Sequence, residues 1–381
     1  MATSQAREGD VTPAPAAAMA PVSVAGRIFE RGPFDRFVGL FGGSGERTTV
    51  RAAIGLAVLA WLPLLLLPAW AGGSSSGAEM PLRSILTDYG ALARYLIVLP
   101  LLVVADIVVG ARLTGIARYF VESGLVPPQS AGRFEALLAS TRAWCGSGWV
   151  GVCIAALACL LVAALHDVVP IDRFAAWHRM PGGQATSLAG WWHLAVSAPL
   201  LLLFAGGWLW RLLAWTRFLW RAAHLPLRLA AAHPDLSAGL KFVAFSVRDF
   251  APLGVAVGVV FAGAAANRIV NFSATFASLQ NVAVGVLIGV LARFGLPLFA
   301  FTGRLLREWT MAVHAFNDQA RLDEGMLSAS DFSAATDLGS YAGNVYGMHL
   351  VPLDLKSFVF LAPRPRRRWC RSSSSPRRST C

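Results

Sequence analysis

Six long apolar runs constrain this chain more than any other feature of its sequence. The first reads AAIGLAVLAWLPLLLLPAWA and holds no charged residue. A helix of about 20 apolar residues crosses the hydrocarbon core of a bilayer. The pattern therefore predicts an all-α fold, a polytopic bundle of six transmembrane helices. The predicted spans are Ala52–Ala71, Ala93–Ala111, Trp149–Leu165, Trp192–Leu212, Ala251–Asn267 and Val282–Phe301.

The composition agrees with a membrane location, because 56% of the residues are hydrophobic and only 14% are charged. Soluble domains carry about a quarter charged residues. The net charge of +12 comes almost wholly from arginine, since Lys241 and Lys356 are the only lysines. In membrane proteins such charge marks cytoplasmic loops and anionic lipid. We therefore expect the bilayer and its anionic headgroups as partners, and not nucleic acid. The arginine bias is typical of a GC-rich bacterial genome and indicates the inner (plasma) membrane.

Basic residues alternate between the connections. Six arginines precede or begin the first span, and the loops 112–148 and 213–250 hold four and five basic residues, whereas the other loops hold one or two. The positive-inside rule places the basic segments, including the N-terminus, in the cytoplasm. Within this cytoplasmic part we expect helices at Phe134–Trp144, at Trp215–Ala232 with a break near Pro226, and at Arg304–Leu322.

The two ends of the chain differ from its middle. We expect a partly disordered cytoplasmic tail over 1–47 and a transmembrane helical domain with cytoplasmic helical loops over 48–349. Over 350–381, an apolar segment (LVPLDLKSFVFLA) stops after about a dozen residues, too few to span. A disordered basic tail follows it. One hypothesis is a seventh helix truncated by a frameshift, and the alternative is a native tail that touches anionic lipid.

Charged residues inside predicted spans are costly and tend to be functional. Asp106 lies in LLVVADIVV and Arg293 lies in GVLARFGLP. Spans two and six run in the same direction under the predicted topology, so both residues fall in the cytoplasmic half of the membrane. The sequence therefore suggests an Asp106–Arg293 ion pair. The alternative is that each side chain extends alone towards the headgroups.

A second feature is His233-Pro234-Asp235 in the cytoplasmic segment LRLAAAHPDLSAGLKF. J-domain co-chaperones carry the same tripeptide, but a J-domain needs a soluble helical unit of about 70 residues. Here span five begins soon after Gly239. The better interpretation is structural: Pro234 ends one helix, and Asp235 or Ser237 caps the next.

The HPD-x3-GL segment before a late span, together with AWLPLLLLPAW in span one and DYGALARYLIVLPLLVVAD in span two, resembles a family of uncharacterised multi-pass bacterial inner-membrane proteins. The resemblance covers roughly residues 30 to 350. It implies an acid at Asp106 and a second glycine where Ala238 stands. It also implies a membrane topology, but no activity.

A third feature follows the fourth span. Four basic residues at spacings of 4, 3 and 4 share one face of a helix, with several tryptophans beside them. Arginine next to tryptophan is the usual anchor at the membrane interface. The functional alternative is a site for a headgroup or a phosphate. The four residues are Arg217, Arg221, His224 and Arg228.

His314 and Asp318 share a face of the helix after span six, at i and i+4. With His233 and Asp235 they could form a metal or proton-transfer site, but a surface helix carrying a His and an Asp is the commoner situation. We predict no catalytic residue, bound metal or cofactor.

The chain has five cysteines and no C-x-x-C motif. Two of them, Cys153 and Cys159, lie in the third span. An odd number without metal-ligand spacing indicates reduced cysteines that pack in the bundle.

Three classes of function fit these features. Transport of a small solute or ion comes first, supported by Asp106 and Arg293. A structural or regulatory membrane protein acting through partners is the alternative. A membrane-embedded enzyme acting on lipid is the third class, and it would have to use the His233 and His314 group. An enzyme is less favoured, because no catalytic motif stands out.

Overall fold

The described part of the chain is helical throughout. Its only β-structure is an isolated antiparallel bridge between Arg179 and Thr186. The predicted all-α class is therefore confirmed. The N-terminal tail up to residue 38 and the C-terminal segment from Leu350 lie outside the described residues. The computed structural model describes Gly39, 46–71, 79–170, 174–180, 185–322, Ser340 and 342–349.

Two of the helices are unusually long, and each contains a π-helical stretch. These stretches are Ala93–Val98 in α3 and His193–Ser197 in α6. Short 3-10 helices form at Pro128–Ser130, Ala176–His178, Lys241–Ala244 and Leu296–Phe301. The helices are α1 Glu46–Ala71, α2 Glu79–Leu86, α3 Tyr89–Glu122, α4 Ala131–Cys145, α5 Gly148–Val168, α6 Leu188–Ala223, α7 Phe245–Asp249, α8 Ala251–Phe272, α9 Phe276–Gly295 and α10 Thr302–Leu322.

Five stretches are long and apolar enough to cross a membrane, and they correspond to the first five predicted spans. These stretches are Glu46–Pro68, Tyr89–Glu122, Gly148–Val168, Leu188–Ala223 and Lys241–Asn271. The sixth predicted span, Val282–Phe301, contains a break. The α-helix ends at Gly295, and a 3-10 helix with Pro297 near its start follows. Proline has no N–H to continue the α-helical hydrogen bonds. The uninterrupted apolar part found there is shorter, Phe276–Val290.

The centre of the bundle is formed by α1, α3 and α6. Helix α1 packs along α3, α8 packs on the first turns of α3, and α4 and α5 pack on α6. Helix α5 leaves most of its apolar surface outside the protein: Leu157 and Leu160 are 65% and 67% exposed. An apolar surface of this extent needs a lipid or protein cover.

The cysteines fit the packing prediction only in part. Cys145 is buried at the end of α4, whereas Cys153 and Cys159 are exposed on the outer face of α5. The reason is that α5 contacts the bundle mainly through α6, so only one side of this very apolar helix is covered.

An aromatic cluster joins the C-terminal ends of α3 and α6 to the shorter elements. The ring of Phe120 lies 4.9 to 6.3 Å, between centroids, from those of four other phenylalanines. Each aromatic pair contributes about 0.5–1.5 kcal/mol beyond its buried area. The cluster thereby fixes α4 and two 3-10 helices against α3 and α6. Its other members are Phe134, Phe218, Phe242 and Phe301.

Candidate functional site

Polar side chains gather where α3 and α6 lie side by side, and we call this contact the α3–α6 seam. Near its middle, Trp208 Nε1 donates a hydrogen bond to the carbonyl oxygen of Leu102 at 2.8 Å. The bond ties an indole of one helix to the backbone of the other. The seam is formed by Tyr95, Leu102 and Asp106 of α3 and by His193, Trp208 and Arg211 of α6.

An ion pair occupies the C-terminal part of the seam. The guanidinium of Arg211 donates a hydrogen bond to the carboxylate of Asp106. The Arg211 side chain is only 5% exposed and that of Asp106 is 26% exposed. Arg211 Cζ also lies 5.1 Å from the ring centroid of Trp208. Removing two such charges from water is expensive, so ion pairs within apolar helices are rare and usually functional.

The partner of Asp106 differs from the sequence-based hypothesis, which paired it with Arg293. Arg293 is half-buried on α9, and no ion pair joins it to Asp106 among the described residues. The main packing contacts of α9 are with α8 and the following 3-10 helix. The position of a residue within an apolar run indicates its depth in the membrane, but it does not indicate which other helix lies next to that residue. Arg211 therefore replaces Arg293 in the candidate site.

A second ion pair lies further along α3. Arg112 Nη1 donates to Asp249 Oδ1 at 3.2 Å, linking α3 to the end of α7. The Asp249 side chain is buried and that of Arg112 is mostly exposed. This pair gives the start of α8 a fixed position against α3.

At the N-terminal end of the seam lies a group that we call the histidine cluster: Asp88, Tyr95, Trp177, His178 and His193. The His193 imidazole is buried, and neither ring nitrogen has a hydrogen-bond partner in the part of the chain that the structure describes. Its ring centroid lies 4.7 Å from that of His178, 5.4 Å from Trp177 and 5.8 Å from Tyr95. An imidazole so enclosed retains a donor and an acceptor for a small polar guest.

Local hydrogen bonds build the cluster. Asp88 caps the start of α3 and also accepts a hydrogen bond from Trp177 Nε1 at 3.1 Å. The Ser187 hydroxyl caps the start of α6 and donates to the Trp177 carbonyl oxygen at 2.7 Å. Gly190 packs so closely that an added Cβ would lie 2.7 Å from the carbonyl oxygen of His178. The loop carrying Trp177 and His178 is thus held against both long helices.

Burial, followed by the positive charges of Arg94 and His166, lowers the pKa of His178 to about 3. His178 lies in the loop before α6 and is therefore neutral at pH 7. A neutral imidazole carries one N–H donor and one acceptor nitrogen. Beside His193, this makes the cluster suited to hold a polar guest or to relay a proton, and unsuited to bind an anion by charge.

The His-Pro-Asp turn is locked by backbone hydrogen bonds. Asp235 Oδ1 accepts from the N–H groups of Ser237 at 2.9 Å and Gly239 at 3.0 Å, and Oδ2 accepts from Lys241 at 3.2 Å. Burial acts to raise the pKa of Asp235, but these bonds and His233 hold it below its usual range. His233 Nδ1 lies 2.9 Å from Oδ1 of Asp235. Asp235 therefore holds the turn together and accepts from the first N–H of the 3-10 helix at Lys241, whose N-cap position is Leu240. Pro234 does not end a helix as expected, because α6 already ends at Ala223.

This turn adopts an unusual backbone conformation. Leu236, Ala238 and Gly239 have φ values of 57°, 51° and 88°. A C-terminal segment covers it: Asn344 Nδ2 donates to the Ala232 carbonyl oxygen at 3.1 Å, and the backbone N–H of His349 donates to that of Leu236 at 2.7 Å. The tripeptide is thus part of a folded connection between α6 and α8.

The predicted basic stripe is interrupted. Helix α6 ends at Ala223, His224 follows as its C-cap, and Pro226 stands in the non-helical segment beyond it. The residue before a proline disfavours the α conformation, which ends the helix. Arg228 therefore does not share a helical face with Arg221. The break expected near Pro226 is present, but α6 already ends at Ala223 and no helix resumes before Ala232. By contrast, the helix predicted over Phe134–Trp144 lies within α4.

The remaining predicted polar group consists of His314 and Asp318 together with His233 and Asp235. His314 is exposed on α10, and the side chain of Asp318 is outside the described residues. Within the described ranges, no three His, Cys, Asp or Glu residues form a group that could hold a metal ion. His233 is engaged with Asp235 in the turn, so the structure supplies no contact that joins the two histidines into a site.

Sequence reasoning missed Arg211 and the histidine cluster. Arg211 stands one residue before the inner end of predicted span four, where the charge pattern assigns it to the edge of the cytoplasmic loop. Trp177 and His178 lie in a connection without an apolar pattern, and only folding brings them against His193. One signal could have been found in the sequence. Ser187 is a typical helix N-cap residue, and its hydroxyl oxygen accepts a hydrogen bond from the Gly190 N–H.

No protein-family model, no curated protein and no solved structure matches this chain. The resemblance to the uncharacterised membrane family stays a prediction, and geometry carries the functional argument.

Proposed function

We propose that this protein is a multi-pass protein of the bacterial inner membrane that moves a proton or a small ion or solute along the α3–α6 seam. The proposal includes six spans with a cytoplasmic N-terminus, α9 and the following 3-10 helix forming the sixth. The observation that carries it is the Asp106–Arg211 ion pair inside two apolar helices.

The reason lies in the free energy of burying charge. Placing an ion pair among apolar helices is often less stable than filling the same volume with apolar side chains. Arg211 is nevertheless buried against Asp106 and Trp208, which supports a role that needs these charges. Intramembrane carboxylates of this kind mark ion and proton pathways in transport proteins.

The histidine cluster supplies a second polar binding position on the same seam. Tyr95 and Asp106 are eleven residues apart on α3, which corresponds to roughly 16 Å along a helix. The histidine cluster would bind the transported species first, through His193 and His178. The Asp106–Arg211 ion pair would then bind it nearer the cytoplasm. In this proposal the polar groups cover about half of the bilayer core, which is roughly 30 Å thick.

A flux assay tests the proposal. The purified full chain is placed in liposomes containing a pH-sensitive dye, and proton and monovalent-ion movement is followed under an imposed potential. Asp106→Asn removes the charge with little change of shape and is expected to abolish flux. Asp167→Asn makes the same chemical change at an exposed position near the end of α5 and should leave flux unchanged.

A second variant separates transport from packing. Leucine fills nearly the space of His193 but has no ring nitrogens. If the cluster only packs, His193→Leu keeps flux and, by removing buried nitrogens without partners, leaves stability equal or higher. The transport proposal instead expects loss of flux in a variant that remains folded. Normal flux in folded samples of both Asp106→Asn and His193→Leu would contradict the proposal.

A structural or regulatory membrane protein is the second candidate. The aromatic cluster around Phe120 and the Arg112–Asp249 pair favour it, because they fix the shorter elements rigidly to the long helices. Such a protein would tolerate Asp106→Asn and would lose co-purifying partners when those elements are disturbed. A lipid-directed enzyme has less support, since Asp235 and His233 are engaged in the loop.

A further inference from the structure

A groove lies between the N-terminal half of α4 and the C-terminal end of α6. Its volume is about 300 Å³, and it is lined by Arg133, Ala136, Leu137, Arg221 and Leu225. Arg133 and Arg221 come from different helices and are both exposed. The groove therefore joins two positive charges to an apolar floor.

Arg217 lies one turn before Arg221 on α6 and extends the same basic surface. Its Nη2 donates to Ser140 Oγ at 3.2 Å, and its Cζ lies 4.7 Å from the centroid of the Trp144 ring. These contacts hold the guanidinium against α4. Its Nη1 is buried and has no hydrogen-bond partner among the residues described. One donor of a fixed arginine thus lacks an acceptor.

Acidic side chains do not neutralise this surface. In the described ranges, the ion pairs join Arg112 to Asp249, Arg211 to Asp106 and His233 to Asp235. None of these pairs involves Arg133, Arg217 or Arg221. The guanidinium group of arginine can donate two parallel hydrogen bonds to the oxygens of one phosphate. The chemistry that fits is therefore a phosphate group.

Tryptophans lie along the same contact between α4 and α6. The rings of Trp144 and Trp210 lie 4.3 Å apart between centroids, and Trp210 Nε1 donates to the Trp144 carbonyl oxygen at 3.2 Å. Both residues lie where α4 turns into the apolar helix α5 and where α6 leaves its apolar part. Tryptophan is enriched at the level of lipid headgroups. The groove lies eleven residues, about 16 Å, further along α6 than Trp210, at the end of the candidate span Leu188–Ala223. Trp220, beside Arg221, is 55% exposed there.

We propose that this groove binds the phosphate of an anionic phospholipid. Arg133 and Arg221 contact the phosphate oxygens, and Arg217 adds its positive charge from the adjoining turn. The apolar floor contacts the glycerol and first acyl carbons. The binding residues thus differ from the predicted stripe, because Arg133 of α4 takes the place of His224 and Arg228.

The test is a lipid titration of the purified full chain in detergent, with bound lipid counted by native mass spectrometry. Phosphatidylglycerol is the probe and phosphatidylcholine the neutral comparison. The double variant Arg133→Gln/Arg221→Gln is expected to weaken phosphatidylglycerol binding about tenfold or more, since each lost charged hydrogen bond is worth a factor of this size. Arg228→Gln is the matched control, exposed and outside the groove, and should bind as the parent does.

Three results would overturn the proposal: equal binding by the double variant and by Arg228→Gln, equal binding of the two lipids, or displacement of phosphatidylglycerol by inorganic phosphate at similar concentration. The last result would assign the groove to free phosphate. Each variant is first checked for a parent-like melting temperature without lipid, as expected for exposed positions. If the double variant does not fold, Arg133→Gln alone gives the same comparison. The outcome does not depend on whether the protein transports.

Discussion

Two aspartates of this protein are held in opposite ways. Asp106 lies within a long apolar helix and is paired with a guanidinium from another helix, 105 residues away in the chain. Asp235 lies in a loop and accepts hydrogen bonds from backbone N–H groups within six residues. The first carboxylate depends on the packing of the bundle, and the second depends only on the local turn.

The difference shows which kind of acid can move charge. The hydrogen-bond donors around Asp235 are backbone N–H groups of the same loop, which stay close to it in the folded protein. Removing Asp235 therefore disturbs that loop alone. Asp106 shares a single counter-charge across a helix–helix contact, so any change of that contact changes its electrostatic environment. A mobile ion or proton can compete with Arg211 for Asp106, whereas nothing comparable can replace the backbone around Asp235.

The largest effect is expected at the ion pair. Asp106→Ala removes the carboxylate that compensates a guanidinium buried to 95%, and the free energy of unfolding should fall by about 3–5 kcal/mol. Arg211→Ala leaves a carboxylate that is a quarter exposed and partly hydrated, so its loss should be smaller. The double variant should lose less than the sum of the two. Denaturation in mixed micelles measures all three, and additive losses would show that the pair has no coupling.

An intermediate effect is expected for the loop. Asp235→Ala removes the acceptor of three backbone N–H groups and should lower the free energy of unfolding by about 2–3 kcal/mol. Amide exchange at Ser237, Gly239 and Lys241 should accelerate, while amides of α3 stay protected. Asp167→Ala, at an exposed position, is the control. Acceleration across the whole bundle would mean that the loop is not a local unit.

The same loop predicts a pH dependence. The folded-state pKa of Asp235 is lowered below its unfolded value of about 3.9, so its stabilisation is fully present above that pH. The contribution is lost as the pH falls through the folded-state pKa. The difference in melting temperature between the parent and Asp235→Asn should therefore be constant from pH 7 to pH 5 and shrink only in stronger acid. A difference that shrinks already near neutral pH would assign the stabilisation to another group.

The smallest effect is expected at Ala238. Its φ of 51° is strained for a residue with a Cβ, by about 1 kcal/mol, and glycine relieves this strain. The methyl group is fully buried, however, and its loss costs about 0.8 kcal/mol. Ala238→Gly should change the free energy of unfolding by less than about 1 kcal/mol. Ala238→Val, which adds bulk at the same φ, should destabilise clearly, and a tolerated valine would contradict this account.

The sequence predicted those parts of the molecule that depend on neighbours along the chain. Apolar runs identified the long helices, because each run needs an apolar environment wherever it packs. The turn around Asp235 could also be predicted, because a short polar side chain after a proline accepts hydrogen bonds from nearby backbone N–H groups.

Contacts between helices were not readable in the same way. Asp106 could be assigned a depth, but its partner depends on which helices touch, and Arg211 lay in a helix with no pattern pointing to α3. The groove shows the same limit, because Arg133 joins Arg221 only through the packing of α4 on α6. The end of α6 at Ala223 separated Arg228 from the residues with which it shares a regular spacing.

The π-helical stretch in α3 has a consequence for the genetics of the ion pair. A π-helical turn holds one residue more than an α-helical turn, so Ala93–Val98 acts as a single-residue insertion ahead of Asp106. Each residue of an α-helix advances the side-chain direction by about 100°. Deleting one codon within this stretch would restore a regular helix and leave Asp106 facing Arg211, whereas deleting one codon between Val98 and Asp106 would turn Asp106 away by about 100°. The π-helical stretch is therefore a place where the chain can lose one residue and keep the pairing of these two charges.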